Sequence, residues 1–129
     1  LTMDWAATFL DAAGVAAHPD YPLDGMSLVP AFADAQWQPQ RDLCWRMKHR
    51  SQRALLRGDW KYLQVDGIEY LFNVVEDPRE RANLRERQPE RLAELREAWA
   101  AWDATLPPIP EDAKVSLVFT TKELPQATF

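Results

Sequence analysis

The chain has 129 residues, about one domain's worth, and its 47% hydrophobic and 27% charged residues are an ordinary globular balance. A net charge of -5 argues against a nucleic-acid partner, whose phosphates call for a basic patch. The arginines between positions 79 and 96 do not supply one, because glutamates are interleaved with them. The single cysteine, Cys44, excludes an internal disulfide framework and any multi-cysteine metal site. No apolar run approaches the roughly 20 residues of a membrane-spanning helix, so no membrane partner is expected. The compartment stays open.

The N-terminal segment from Thr2 to Ala13 has helical periodicity, with Ala6, Phe9, Leu10 and Ala13 on one face. Thr2 or Asp4 is the expected cap, and Gly14 stands where a helix C-terminus takes a left-handed residue. The chain opens on this pattern without a leader, which reads as a piece of something longer. Val15 to Gly25 is a loop with Pro19, Pro22 and the turn pair Asp24-Gly25. Ser27 is placed to cap a short helical piece through Ala33, with Pro30 in its first turn.

The middle of the chain reads as a β-meander. Strands are expected at Leu43 to Met47, Arg53 to Arg57, Trp60 to Val65 and Ile68 to Asn73. Gly58-Asp59 and Asp66-Gly67 each fit a two-residue hairpin turn. Ile68, Tyr70 and Phe72 alternate with Glu69 and Leu71, which places the two sets on opposite faces. Asp77-Pro78-Arg79-Glu80 has a carboxylate at N-cap, proline at N1 and glutamate at N3, predicting a short turn of helix. A longer helix is expected from Pro89 to about Thr105, with Leu92, Leu95, Trp99, Trp102 and Leu106 as its buried stripe. Pro107-Pro108-Ile109-Pro110 ends it. Alternation from Val115 to Thr120 suggests an edge strand or a segment that packs on a partner.

Four blocks of this sequence resemble sulfatases, in the family's order. Asp4-Trp5-Ala6-Ala7-Thr8-Phe9-Leu10-Asp11-Ala12-Ala13-Gly14 is similar to their late helix, and Leu23-Asp24-Gly25-Met26-Ser27-Leu28 to the loop after it. Arg53-Ala54-Leu55-Leu56-Arg57-Gly58-Asp59-Trp60-Lys61-Tyr62 resembles their C-terminal hairpin. Glu69-Tyr70-Leu71-Phe72-Asn73, then Asp77-Pro78-Arg79-Glu80 and Asn83-Leu84, resembles the approach to their final helix. The resemblance is to the C-terminal region of an arylsulfatase-like protein of the alkaline phosphatase superfamily. It implies an α+β fold: a small antiparallel meander of about four strands packed on a C-terminal helix, preceded by a helix and loop. Residues 1–40 would be the trailing edge of the catalytic domain, and residues 41–129 the small C-terminal domain with an extended tail.

The family's chemistry needs an activated nucleophile, a divalent Lewis acid and cationic clamps. By the resemblance, these are a formylglycine made from cysteine in a Cys-x-Pro-x-Arg context, a Ca2+ ion, and lysines and histidines. Cys44 is followed by Trp45-Arg46-Met47 and does not match that context; it reads as a small buried hydrophobe. No catalytic or metal-ligating residue is therefore expected in this piece, and the formylglycine and Ca2+ site would lie upstream. The candidate substrate-binding residues are His49 and Arg50, beside Lys48, in a loop that in sulfatases can border the active-site mouth; the plainer reading is a solvated basic turn. His18, in its proline loop, reads as exposed. Trp99 and Trp102 read as core rather than as a sugar platform.

The implied parent is a sulfuric ester hydrolase to which this piece gives packing and the rim of the substrate cleft, without turnover of its own. Its implied partners are the missing N-terminal catalytic domain, a sulfated small molecule or sugar, and a second copy in a homo-oligomer. One alternative is the corresponding part of a phosphonate monoester hydrolase or phosphodiesterase of the same superfamily. Another is a free-standing, non-catalytic binding module.

Overall fold

The computed structural model describes residues 1–113. The chain divides into two compact units, Leu1–Gln40 and Arg41–Phe129. The strand expected at Val115 to Thr120 lies outside the described residues.

The first unit contains helix α1 (Asp4–Ala12) and the short helix α2 (Val29–Ala33). The side chains that α1 buries are Asp4 and Thr8, whereas Phe9 of the expected apolar face is 63% exposed and stacks on exposed Trp5 with ring centroids 5.7 Å apart. Polar bonds from the following loop explain the difference. Met26 N–H donates to Asp4 Oδ1 at 3.1 Å, and Leu28 N–H donates to Thr8 Oγ1 at 3.0 Å. Thr8 Oγ1 in turn donates to the Asp4 carbonyl at 2.7 Å, and the Ser27 hydroxyl donates to Asp11 Oδ2. Neither expected cap forms, because Asp4 already stands inside the helix and Met3 occupies the N-cap without a side-chain bond.

Gly25 makes this strap possible. A Cβ there would lie 2.1 Å from the Met3 carbonyl oxygen, so the loop backbone touches the start of α1 where only hydrogen fits. Gly14 serves differently. Its φ of +66° places it in the left-handed region that closes α1, with Val15 N–H returning to the Leu10 carbonyl at 2.9 Å.

The second unit is α+β. Strands β1 (Asp42–Met47), β2 (Gln52–Arg57), β3 (Trp60–Val65) and β4 (Ile68–Asn73) form one antiparallel sheet in sequence order. The turns follow their residues. Asp66 (φ 51°) and Gly67 (φ 80°) both take positive φ, as a type I′ hairpin requires, and Gly58 takes φ 54° in the β2–β3 turn. Helix α3 (Pro89–Asp103) begins with proline at its first position, where the missing N–H costs no hydrogen bond.

Strand register sorts the side chains into two faces. One cross-strand row is Cys44, Leu55, Tyr62 and Leu71, and onto it α3 lays Leu92, Leu95 and Trp99. Leu55, Tyr62, Leu71 and Leu95 are all 0% exposed, and each such burial is worth roughly 1.5–3 kcal/mol. Trp102 packs edge-on against Trp99 and is partly buried, so both belong to the core, as their spacing predicts. The Trp99 indole N–H donates to the Trp45 carbonyl of edge strand β1 at 3.0 Å. The opposite face carries Trp45, Ala54, Leu63 and Tyr70 in one row, with Met47 and Ile68 near its end. Trp45, Met47 and Ile68 are exposed.

The turn of helix expected at Asp77 to Glu80 does not form. Asp77 does act as an acceptor, but its Oδ2 takes the N–H groups of Arg81 and Ala82, beyond the capping-box position. Glu80 has φ 54°, which ends any helical run, and its carboxylate holds Lys61 at 2.7 Å instead of reaching back to the cap. Asn83 then ties this loop to β4: its Oδ1 accepts from Leu71 N–H at 3.1 Å, while Leu84 N–H donates to the Leu71 carbonyl at 2.8 Å.

Candidate functional site

The end of the sheet where β1 turns into β2 brings together Arg46, Lys48, Arg50 and Arg53. Register sets Arg46 opposite Arg53 and Arg53 opposite Gln64, with Glu69 opposite Gln64, on the face that receives α3. Beyond the row of Cys44, Leu55, Tyr62 and Leu71, the C-terminal part of α3 and the proline segment leave a recess of about 290 Å³. Its walls include Arg46, Lys48, Arg53, Trp99, Asp103 and Ile109.

The cations of the recess differ in how they are satisfied. Arg46 is matched, donating to Asp103 Oδ1 at 2.8 Å and to the Pro107 carbonyl at 2.9 Å. The Lys48 ammonium donates to the carbonyls of Pro110 and Glu111 at 2.8 and 2.5 Å, which tie the proline segment down without neutralising the charge. Arg53 lies with its guanidinium carbon 4.8 Å from the Trp99 ring centroid, a cation–π contact. Glu69, in the same cross-strand row, is held by Arg96 at 2.7 and 2.8 Å. That hydrogen-bonded pairing is the main cause holding the Glu69 carboxyl below its ordinary value. The Tyr62 hydroxyl, 3.1 Å from Glu69 Oε1, is pushed up to about 12 by burial first and by the Glu69 charge second.

The two residues singled out in the sequence stand beside this recess rather than in its walls. His49 and Arg50 belong to a single 3₁₀ turn, His49–Ser51, in which Arg50 and Ser51 both take positive φ. Arg50 faces the β3–β4 turn: its Nε donates to Asp66 Oδ2 at 2.8 Å, and its carbonyl accepts from Asp66 N–H at 2.8 Å. Its charge is therefore paired. His18 is exposed and lies tilted against Tyr21, with ring centroids 4.9 Å apart. Lys48 is the residue named beside His49 and Arg50 in that loop, whereas Arg46 and Arg53 carry no such expectation. Their signal was available in the pairing of the two strands, which sets Arg46 against Arg53, but the closing wall comes from residues more than fifty positions later.

Cys44 is half-buried in β1, and its thiol is pushed up to about 11, by burial first and by the Asp42 charge second. At neutral pH it is a thiol, not a nucleophile. Calcium would need six to eight oxygens. Among the described residues no group of three or more His, Cys, Asp or Glu is placed to hold a metal ion. The donor set here thus does not fit a Ca2+ site, and the Cys44 context does not fit a formylglycine precursor.

The sequence matches no family model and no curated protein. Solved structures do match. Ps i-CgsB is 25% identical with a TM-score of 0.66, covering 77% of this chain and 23% of its own; it has also been solved in complex with k-i-k-neocarrahexaose. BT1596, a 2-O GAG sulfatase, is 23% identical with a TM-score of 0.61, covering 81% of this chain and 24% of its own. Phosphonate monoester hydrolase of Agrobacterium radiobacter is 19% identical with a TM-score of 0.51, covering 79% of this chain and 24% of its own. The chain has the fold of a segment of the sulfatases, and it spans about a quarter of the length of the solved chains it matches.

Proposed function

We propose that this chain is the C-terminal segment of a sulfatase, serving as packing and as part of the substrate-cleft rim for a catalytic portion that carries the nucleophile and the metal. Coverage carries this reading: most of this chain is matched, but only 23–24% of the longer chains. The four blocks singled out in the sequence support it, and so does the work each does in the fold. The Asp24-to-Leu28 block straps α1, Gly58-Asp59 turns β2 into β3, and Asn83-Leu84 pairs onto β4. The exposed Trp45, Met47 and Ile68 form an apolar sheet face of the kind that marks an interaction surface, here assigned to the catalytic portion. A sulfated saccharide is the proposed substrate class, since one matched structure is a GAG sulfatase and another holds a neocarrahexaose. His49 and Arg50 are proposed as rim residues that meet its anionic groups, Arg50 by exchanging its exposed Asp66 partner for the substrate's anion.

The decisive test is the gene sequence preceding the Leu1 codon, where a Cys-x-Pro-x-Arg motif is expected. The protein encoded with that region should hydrolyse an aryl sulfate, and the 129-residue chain alone should not. Turnover by the isolated chain, free of contaminating enzyme, would overturn the proposal. The phosphonate monoester hydrolase match favours a second reading, in which the same segment closes a phosphonate or phosphate ester hydrolase. Paired aryl sulfate and aryl phosphonate substrates separate the two, because the clamps that distinguish their charges lie outside these residues.

A further inference from the structure

We propose that the recess beside Arg53 is an anion subsite that takes a sulfate group carried on a saccharide, held by the Arg53 guanidinium and the Lys48 ammonium. The choice of saccharide rests on the sulfatase reading; the preference for an oxyanion does not. Charge is the first argument. The described residues of the lining include three cations, Arg46, Lys48 and Arg53, and one carboxylate, Asp103, which Arg46 already holds. Among the described residues, Lys48 and Arg53 have no carboxylate hydrogen-bonded to them in this recess; the Glu69 charge reaches Arg53, but Arg96 is what binds that carboxylate.

Donor supply is the second argument. A guanidinium has five N–H groups in a fixed fork suited to an oxyanion. Arg53 is exposed, and its guanidinium carbon lies over the Trp99 ring, 4.8 Å from the centroid. Lys48 has three donors and uses two of them on the Pro110 and Glu111 carbonyls. Pre-positioning is the third. Trp99 is 3% exposed and fixed by its bond to the Trp45 carbonyl, so the surface under Arg53 is rigid. Lys48 is likewise held by two carbonyls. Ser51 and Gln52 add polar lining, and Ile109 with Pro108 adds an apolar wall. The volume of about 290 Å³ stands at the small end of ligand pockets, which begin at roughly 300 Å³.

The test titrates the 129-residue protein, at constant ionic strength, with inorganic sulfate, a sulfated disaccharide and its desulfated counterpart. Backbone amide and arginine Nε shifts report binding. Shifts are expected to concentrate on Arg46 to Arg53 and Ile109, and the sulfated disaccharide is expected to bind more tightly than either other probe. Arg53→Gln should weaken that binding roughly tenfold or more, the loss of a charge-assisted hydrogen bond. Arg53→Lys should recover part of it. Unchanged shifts elsewhere in the spectrum establish that the variants fold. Shifts scattered evenly over exposed arginines, or equal affinity in Arg53→Gln, would overturn the subsite. Binding of inorganic sulfate with no advantage for the sulfated disaccharide would overturn the saccharide assignment. A preceding gene sequence without the cysteine motif, together with intact Arg53-dependent sulfate binding, would remove the sulfatase reading and leave the oxyanion site standing.

Discussion

Replacing Gly25 with alanine should detach the loop that straps α1, and the size of the effect follows from geometry. The new Cβ would lie 2.1 Å from the Met3 carbonyl oxygen and 2.9 Å from the Asp4 Cα, both backbone atoms that cannot rotate away. The loop must withdraw by about an ångström to reach ordinary contact, and the two bonds beside it open. One is a charge-assisted bond from Met26 N–H to the Asp4 carboxylate; the other is a neutral bond from Leu28 N–H to the Thr8 hydroxyl. Together they are worth about 2–4.5 kcal/mol. Amide hydrogen exchange reads this directly: the Met26 and Leu28 amides should exchange about thirtyfold to two-thousandfold faster. Gly14→Ala is the matched control. Nothing lies within 4 Å of a Cβ there, and only the φ of +66° is unfavourable, costing roughly 1–2 kcal/mol at the helix end. Exchange at Met26 and Leu28 that stays within a factor of three in Gly25→Ala, or that rises as steeply in Gly14→Ala, would refute the steric argument.

The other predictions concern the second unit. Leu95→Ala empties a fully buried position between α3 and the sheet and should cost about 2–5 kcal/mol, seen as a loss of urea resistance, whereas exposed Glu97→Ala should change stability by less than about 0.5 kcal/mol. Acid should weaken the unit through Glu69 and Asp42, whose carboxyls Arg96 and Arg57 hold below their ordinary values of 4.5 and 3.8. Because those folded values are depressed, their contribution is fully present above the ordinary values and is lost as pH falls through the folded ones. Glu69→Gln should therefore flatten the fall in stability on acidification below pH 4.5, and an unchanged acid slope would exclude Glu69 as a contributor. Cys44, pushed up to about 11 from 9.0, should react with iodoacetamide at pH 8 about a hundredfold more slowly than after unfolding in urea. A native rate equal to the unfolded one would contradict its burial.

Much of the second unit was legible along the chain because its signals are local. Asp66-Gly67 and Gly58-Asp59 supply positive φ where two-residue hairpins need it, and period-two alternation then assigns Leu71 to one face and Tyr70 to the other. Trp60–Val65 and Ile68–Asn73 accordingly begin and end where the pattern placed them, and β1 and β2 each start one residue earlier. The Leu92, Leu95 and Trp99 stripe followed from helical spacing in the same way. The Asp77 box failed for a reason that is not local. Glu80 could cap its own turn or bind Lys61 of β3, and in the folded chain it binds Lys61.

What the sequence settled by itself was the four strands and the longer helices, the two hairpin turns, the α+β class and the likeness to sulfatases, all of which depend on neighbours a few residues apart. Which side of α1 is buried was decided by tertiary structure, because amides 22 and 20 positions away reach Asp4 and Thr8 and outweigh the apolar spacing of the helix. The basic recess was decided the same way. Arg46 and Asp103 are separated by 57 positions, and Arg53 gains its platform only when Trp99 arrives from α3. A cavity is defined by surfaces that meet in space, and no periodicity along the chain encodes that meeting.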